Sequence, residues 1–133
     1  MLAHDAKKPL LTAWVARHRD ALADHRLICT ATTGAIVRKA CPELIIETVK
    51  SGPLGGDQQI GALIAKGQVD ALVFFPDPLS PQPHDADVKA LILLALVYDV
   101  ACAFNRRSAD LLMQSGRWRL AERASISPTP SAH

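Results

Sequence analysis

Short apolar runs alternate with helix-forming segments along nearly the whole chain, and this alternation restricts its fold more than any other feature. The apolar runs predict five strands, at residues 1–3, 26–30, 43–49, 70–75 and 100–104. The segments between and after them predict helices at residues 7–23, 35–40, 57–66, 88–98 and 108–114. Strands that alternate with helices predict one α/β domain, with a mostly parallel five-stranded sheet between helix layers.

Polar side chains cluster where the predicted strands end. His4 and Asp5 follow the first strand, and Asp77 and His84 follow the fourth. A threonine-rich segment follows the second strand, and a glycine-rich segment follows the third. Ligands of open parallel sheets bind beyond the carboxyl ends of the strands, so these clusters predict a single site at that edge.

The glycine-rich segment reads SGPLGGDQQIG over residues 51–61. Its glycines allow backbone angles that other residues avoid, and they let a ligand approach the main chain closely. Asp57 falls in the first turn of the helix that follows. A carboxylate at that position is either a simple helix cap or a placed catalytic base, and both interpretations remain open from the residues alone.

A phosphate-binding surface is the better interpretation of the threonine-rich segment, although threonines at a helix start are often only caps. Hydroxyl groups and helix N-termini both donate to anions, and a lysine supplies countercharge. The predicted contacts are Lys8, Thr30, Thr32, Thr33, Ser51 and Gly52. The chain has no Walker-type loop and no G-x-G-x-x-G motif, so the phosphate of a small metabolite is favoured over a nucleotide.

Acid-base capacity at the same edge comes from Asp57, His4, Asp87 and His84. His18 and His25 lie in or just after the first helix and are interpreted as structural. The sequence contains no metal-ligand spacing and no serine or cysteine nucleophile motif, so no metal or cofactor is expected. Carboxylates beside a neutral imidazole favour proton abstraction next to a carbonyl group.

Composition narrows the class of partners. A net charge of +2, spread along 133 residues, does not favour nucleic acid or a membrane surface. The longest apolar run covers residues 90–98 and is too short to cross a bilayer. Three irregularly spaced cysteines predict reduced thiols in a cytoplasmic protein. Residues 1–116 are predicted to form the domain, and 117–133, which end in a Ser/Pro-rich run, a disordered tail.

The chain resembles the methylglyoxal synthase family over residues 1–115. The segments that carry this resemblance are AHDAKK, TATTGAI, SGPLGGDQQIGALI, VFFPDPLSPQPHDADVKAL and ACAFNRRSAD. The resemblance implies a three-layer α/β sandwich, here with its first and C-terminal strands shortened. It also implies a lyase that converts dihydroxyacetone phosphate into methylglyoxal and inorganic phosphate without a cofactor, as a glycolytic bypass. Homohexamers, with phosphate as an inhibitor, are the implied assembly and regulation.

Residue roles follow from the same resemblance. Asp57 matches the family's base, His4 matches the histidine that moves protons between the enediol oxygens, and Asp87 matches an acid near those oxygens. His84 matches a further polar residue, and the six residues of the predicted phosphate-binding surface match the family's phosphate contacts. Two alternatives stay open: a regulatory module of the same fold that binds phosphorylated metabolites, and a truncated, inactive relative.

Overall fold

The structure is a computed structural model that describes residues 1–81 and 85–116. Its strands are β1 (Leu2–Ala3), β2 (Leu27–Thr30), β3 (Ile46–Val49), β4 (Ala71–Phe75) and β5 (Ala101–Ala103). Its helices are α1 (Lys8–Arg17), α2 (Arg19–Leu22), α3 (Ala31–Ala40), α4 (Gly56–Ala65), α5 (Asp85–Val97) and α6 (Arg106–Ser115). Short 3₁₀ turns at Asp5–Lys7 and Gly52–Leu54 precede α1 and α4.

The strands pair in parallel, which confirms the predicted α/β class, but their hydrogen bonds form two groups. β1, β4 and β5 form one group in the order β1-β4-β5, and β2 pairs with β3 in the other. β1 contributes Leu2 and Ala3, which pair with Phe74 and Phe75 of β4. On the side of β2, the α-amino group of Met1 donates to the carbonyl of Ile28 at 2.5 Å. A single bond of this kind is not a ladder, so the expected continuous sheet is divided there.

Side chains of β4 alternate between two hydrophobic cores, as expected for a strand covered on both faces. Val73 and Phe75 join the core built with α1, α3 and α6. Leu72 and Phe74 join the core built with α4 and α5. The predicted three-layer sandwich is therefore confirmed.

Several helix boundaries differ from the sequence prediction. The first predicted helix is interrupted at His18, whose φ of −103° and ψ of 14° leave the helical region between α1 and α2. α3 begins at Ala31 rather than residue 35, directly after β2, because Thr30 already serves as its N-cap residue. α5 begins at Asp85 rather than residue 88.

Two expectations fall outside the described residues. The predicted tail and the shortened C-terminal strand concern residues 117–133, and His84 lies in the gap at 82–84. Within the described residues, no helix combines the length and apolar character needed to cross a membrane.

Asp110 of α6 ties this helix to α1. Trp14 Nε1 donates to Asp110 Oδ1 at 3.0 Å, and His18 Nε2 lies 2.8 Å from the same oxygen. The hydrogen bond with His18, together with that from Trp14 and the nearby charge of Arg17, holds the pKa of the Asp110 carboxyl below its ordinary value. His18, interpreted from sequence as structural, therefore stabilises the contact between the first and last described helices.

Replacing this carboxylate is expected to destabilise the fold in a pH-dependent way. Asp110→Asn should lower the free energy of unfolding by about 1–2 kcal/mol at neutral pH, since charge-assisted hydrogen bonds are lost. A depressed folded-state pKa adds stability above the ordinary carboxyl value of about 3.9, and this is lost as the pH falls through the folded-state pKa. The difference between parent and variant, measured by urea unfolding, should therefore shrink below a pH of about 4. Asp24→Asn, which alters an exposed carboxylate, is the control; an equal loss there would contradict the assignment.

Candidate functional site

A cavity of about 250 Å³ lies at the carboxyl ends of β1 and β2 and beside the turn that follows β3. Seven of the ten residues predicted for the site line it: His4, Lys8, Thr30, Thr32, Ser51, Gly52 and Asp57. They come from four separate stretches of sequence, and the parallel arrangement of the strands brings these together. The remaining three predicted residues, Thr33, Asp87 and His84, are placed differently.

His4 is fixed directly after β1 by three contacts. Its backbone N–H donates to the carbonyl of Phe75 at 3.2 Å, which extends the pairing with β4 by one residue. Its ring packs edge-on against Phe74, with centroids 5.2 Å apart. The backbone N–H of Asp77 donates to Nδ1 of His4 at 2.9 Å. A nitrogen that accepts a hydrogen bond carries no proton, so His4 is a neutral imidazole with its hydrogen on Nε2.

Asp77 is a positioning residue that the predicted list of site residues did not include. Its side chain accepts from the backbone N–H of Leu79 at 3.3 Å, which shapes the turn after β4, while its own N–H holds His4. The Pro-Asp-Pro run of residues 76–78 indicates a rigid turn at a strand end. That signal could have identified the turn, but a contact made through a backbone N–H leaves no mark in the side-chain chemistry.

The glycine-rich turn places Asp57 in the wall of the cavity. Gly55, with a φ of 104°, is the N-cap residue of α4, and Asp57 follows two positions later at 3% exposure. Gly56 packs so tightly on the preceding turn that a Cβ atom there would lie 1.8 Å from the carbonyl oxygen of Lys50. The N-cap position is thus occupied by glycine, and the Asp57 carboxylate is buried at the cavity, in a position suited to a base.

The opposite wall offers donors to an anion. Thr30 caps α3, so Thr32 and Thr33 lie in the first helical turn, where backbone N–H groups have no partner within the helix. Thr32 lines the cavity, and Thr33 lies beneath it, within 3.3 Å of the Thr30 hydroxyl. Lys8 at the start of α1 is buried against the cavity and forms an ion pair with Asp5. Hydroxyl groups, a helix N-terminus and an ammonium group together suit a phosphate.

Two predicted acid-base residues do not line this cavity in the described part of the chain. Asp87 is half-buried in the first turn of α5, one residue before Val88, which does line the cavity. His84 lies outside the described residues. Across the ranges 1–81 and 85–116, no cluster of three or more His, Cys, Asp or Glu side chains is arranged to hold a metal ion.

The tautomer of His4 can be tested directly. Long-range ¹H–¹⁵N correlation spectra of the protein at neutral pH should show Nδ1 of His4 unprotonated and Nε2 protonated, because the Asp77 N–H occupies Nδ1. The remaining histidines of the chain serve as internal references. A protonated Nδ1 would contradict the geometry described above.

Comparison with known proteins places this site in a defined family. Residues 11–104 match the model of the family described as MGS-like domain. Methylglyoxal synthase from Brucella anthropi is 54% identical over 115 residues, which cover 86% of this chain and 92% of that protein. The enzyme from Brucella ovis is 53% identical over the same shares. The crystal structure of methylglyoxal synthase from Elizabethkingia anophelis NUHP1 aligns with a TM-score of 0.82 at 44% identity, over 89% of this chain and 78% of that one.

Proposed function

The chain belongs to the methylglyoxal synthase family, and from this premise we propose that its cavity converts dihydroxyacetone phosphate into methylglyoxal and inorganic phosphate. One observation carries the proposal beyond the family relationship. A buried carboxylate, a neutral imidazole and a set of phosphate donors line the same cavity, although they come from distant parts of the sequence. Proton abstraction beside a carbonyl, followed by loss of phosphate, needs these three groups together.

Asp57 is proposed as the base that starts the reaction. Its carboxylate removes a proton from the carbon that bears the hydroxyl group, and the electron pair moves onto the carbonyl oxygen to form an enediolate. His4 presents Nε2–H, which donates to this oxygen and stabilises its developing charge. Donation without a net positive charge lets the same ring move a proton between the two oxygens and then return to its starting state.

Elimination completes the reaction. The enediolate electrons expel the phosphate by breaking the carbon–oxygen bond, and the enol left behind becomes methylglyoxal after it takes up a proton on carbon. We propose that Lys8, Thr30, Thr32, Ser51 and Gly52 hold the phosphate before and after this step. Thr33 supports Thr30 from below, through the contact between their hydroxyl groups.

Asp87 and His84 are proposed to act at the rim of the site. Asp87 precedes a cavity-lining residue and would serve as an acid near the enediol oxygens. His84, three positions earlier, would add a further polar contact. Inorganic phosphate, the second product, should compete with the substrate, because both present the same anion to the same donors.

Replacement of Asp57 tests the mechanism. Asp57→Asn keeps the shape of the side chain but removes the base, so turnover of dihydroxyacetone phosphate should fall by at least about 10²–10⁴-fold. Binding of inorganic phosphate, measured by calorimetry, should stay close to that of the parent, because the proposed phosphate contacts remain.

Two other results would separate the alternatives. Loss of phosphate affinity in Asp57→Asn would show that this residue supports the structure rather than the chemistry. A folded parent protein that binds phosphate without any turnover would favour a regulatory binding module. Thr32→Val serves as the matched control, since it should weaken phosphate binding while Asp57 and His4 remain intact.

The outer face of α5 supports a homo-oligomer, for which a hexamer is the proposed form. Leu93, Leu96 and Val97 are 60%, 71% and 45% exposed, and their spacing puts them on neighbouring positions of one helix face. A contiguous apolar face of this kind is more stable when it is buried against another copy of the chain. The free cysteines at positions 29, 41 and 102 suit the proposed location in the reducing cytoplasm.

Light scattering coupled to size-exclusion chromatography tests this assembly. The parent should elute at a multiple of 14.3 kDa, and Leu96→Glu should shift it toward smaller species, because a charge would be buried in the interface. Ile45→Glu, which alters an exposed apolar residue on another surface, should leave the mass unchanged. A monomeric parent would contradict the proposal.

A further inference from the structure

A second cavity, of about 230 Å³, lies toward the amino ends of the strands, away from the residues proposed for catalysis. Met1 is one of its lining residues, and strand residues of β2 and β4, including Ile28 and Leu72, line it as well. It therefore continues the line of β1 beyond Met1, between two strands that β1 separates at its other end. We refer to it as the amino-end groove.

Each strand beside the groove has a ladder on its far side. Ala71, Leu72 and Val73 pair with Ala101, Cys102 and Ala103 of β5, whereas β1 pairs with β4 only at Phe74 and Phe75. Leu27 and Ile28 pair with β3 on their other edge. Within the described residues, no strand pairs with Ala71–Val73 on the side of the groove. Parallel strands that face each other in this way present backbone donors and acceptors to a strand placed between them.

Both helix layers give the groove apolar walls. Trp14 of α1 and Leu112 of α6 line it from one layer, and Ile60 and Leu63 of α4 line it from the other. A strand in the middle of such a sandwich points successive side chains into opposite layers, so both sets must be aliphatic. The groove thus fits an extended aliphatic segment better than a compact ligand.

The amino group of Met1 indicates how such a segment would be attached. This group donates to the Ile28 carbonyl, and burial lowers its pKa. An ammonium group in this position gives up hydration for one hydrogen bond, whereas an amide N–H would donate the same bond without a charge to desolvate. A peptide bond at Met1 suits the position better than a free amino group.

We propose that the amino-end groove is the seat of an extended aliphatic segment joined to Met1, which pairs in parallel with Ala71–Val73 and connects the two strand groups into one sheet. The consequence reaches the functional site through β1, because His4 and Lys8 follow directly from that strand. The proposal concerns strand pairing and does not depend on the reaction proposed above.

The test compares forms of the full chain that differ only before Met1. One carries Val-Ile-Val between an initiating methionine and Met1, and its control carries Val-Pro-Val. Proline removes a backbone donor and is excluded from central strands, while the flanking valines keep the length and most of the apolar character. The Val-Ile-Val form should melt about 5 °C or more above the parent and above its control. Amide exchange at Ala71–Val73 should also slow about tenfold or more.

Equal melting temperatures for the two extended forms would overturn the proposal. A rise that appears only with dimer formation in light scattering would overturn it in favour of a segment exchanged between two copies. Deletion of residues 117–133 covers the remaining occupant. If that deletion alone lowers the melting temperature and restores exchange at Ala71–Val73, the chain's own C-terminal residues fill the groove and the proposal fails.

Discussion

The pairing of β1 with β4 is the constraint on which both cores and the functional site depend. Phe75 accepts the backbone N–H of His4, and Phe74 packs against the His4 ring, so two neighbouring residues of β4 set the position of the imidazole. The ring of Phe75 points the other way and meets Trp14 edge-on, with centroids 6.3 Å apart. Trp14 in turn donates to Asp110 of α6. One central strand therefore connects the chemistry at its carboxyl end to the packing of the outer helices.

Position along the parallel strands explains why the site could be predicted from sequence. His4, Thr30 and Ser51 were grouped because each follows or ends a predicted strand, and the cavity brings them together. The α/β class followed from alternation alone, and the alternating side chains of β4 needed no tertiary information. Periodicity and strand ends are local signals, so they survive when the fold is unknown.

What the sequence did not reveal depends on contacts between distant residues. The break at His18 coincides with a bond to Asp110, 92 residues away, and apolar spacing runs through that position without interruption. The early start of α3 depends on Thr30 acting as an N-cap residue, whereas the predicted start relied on the apolar pattern after Gly34. Asp77 was overlooked because its contact with His4 is made by the main chain. The division of the sheet likewise reflects how few residues β1 contributes, which composition cannot express.

The glycine-rich turn links the proposed base to the proposed phosphate contacts, and this link bears on which reaction follows from the enediolate. Elimination requires the breaking carbon–oxygen bond to stand out of the enediolate plane, whereas isomerisation proceeds with that bond held in the plane. Ser51 and Gly52 lie within six residues of Asp57, and the turn between them closes on the Ser51 carbonyl through the N–H groups of Leu54 and Gly56. The close approach of Gly56 to Lys50 leaves little freedom between the two ends of the turn. The angle between phosphate and enediolate is thus set by the backbone of this short turn, so a change in the turn would alter the choice between the two reactions even with every catalytic side chain in place.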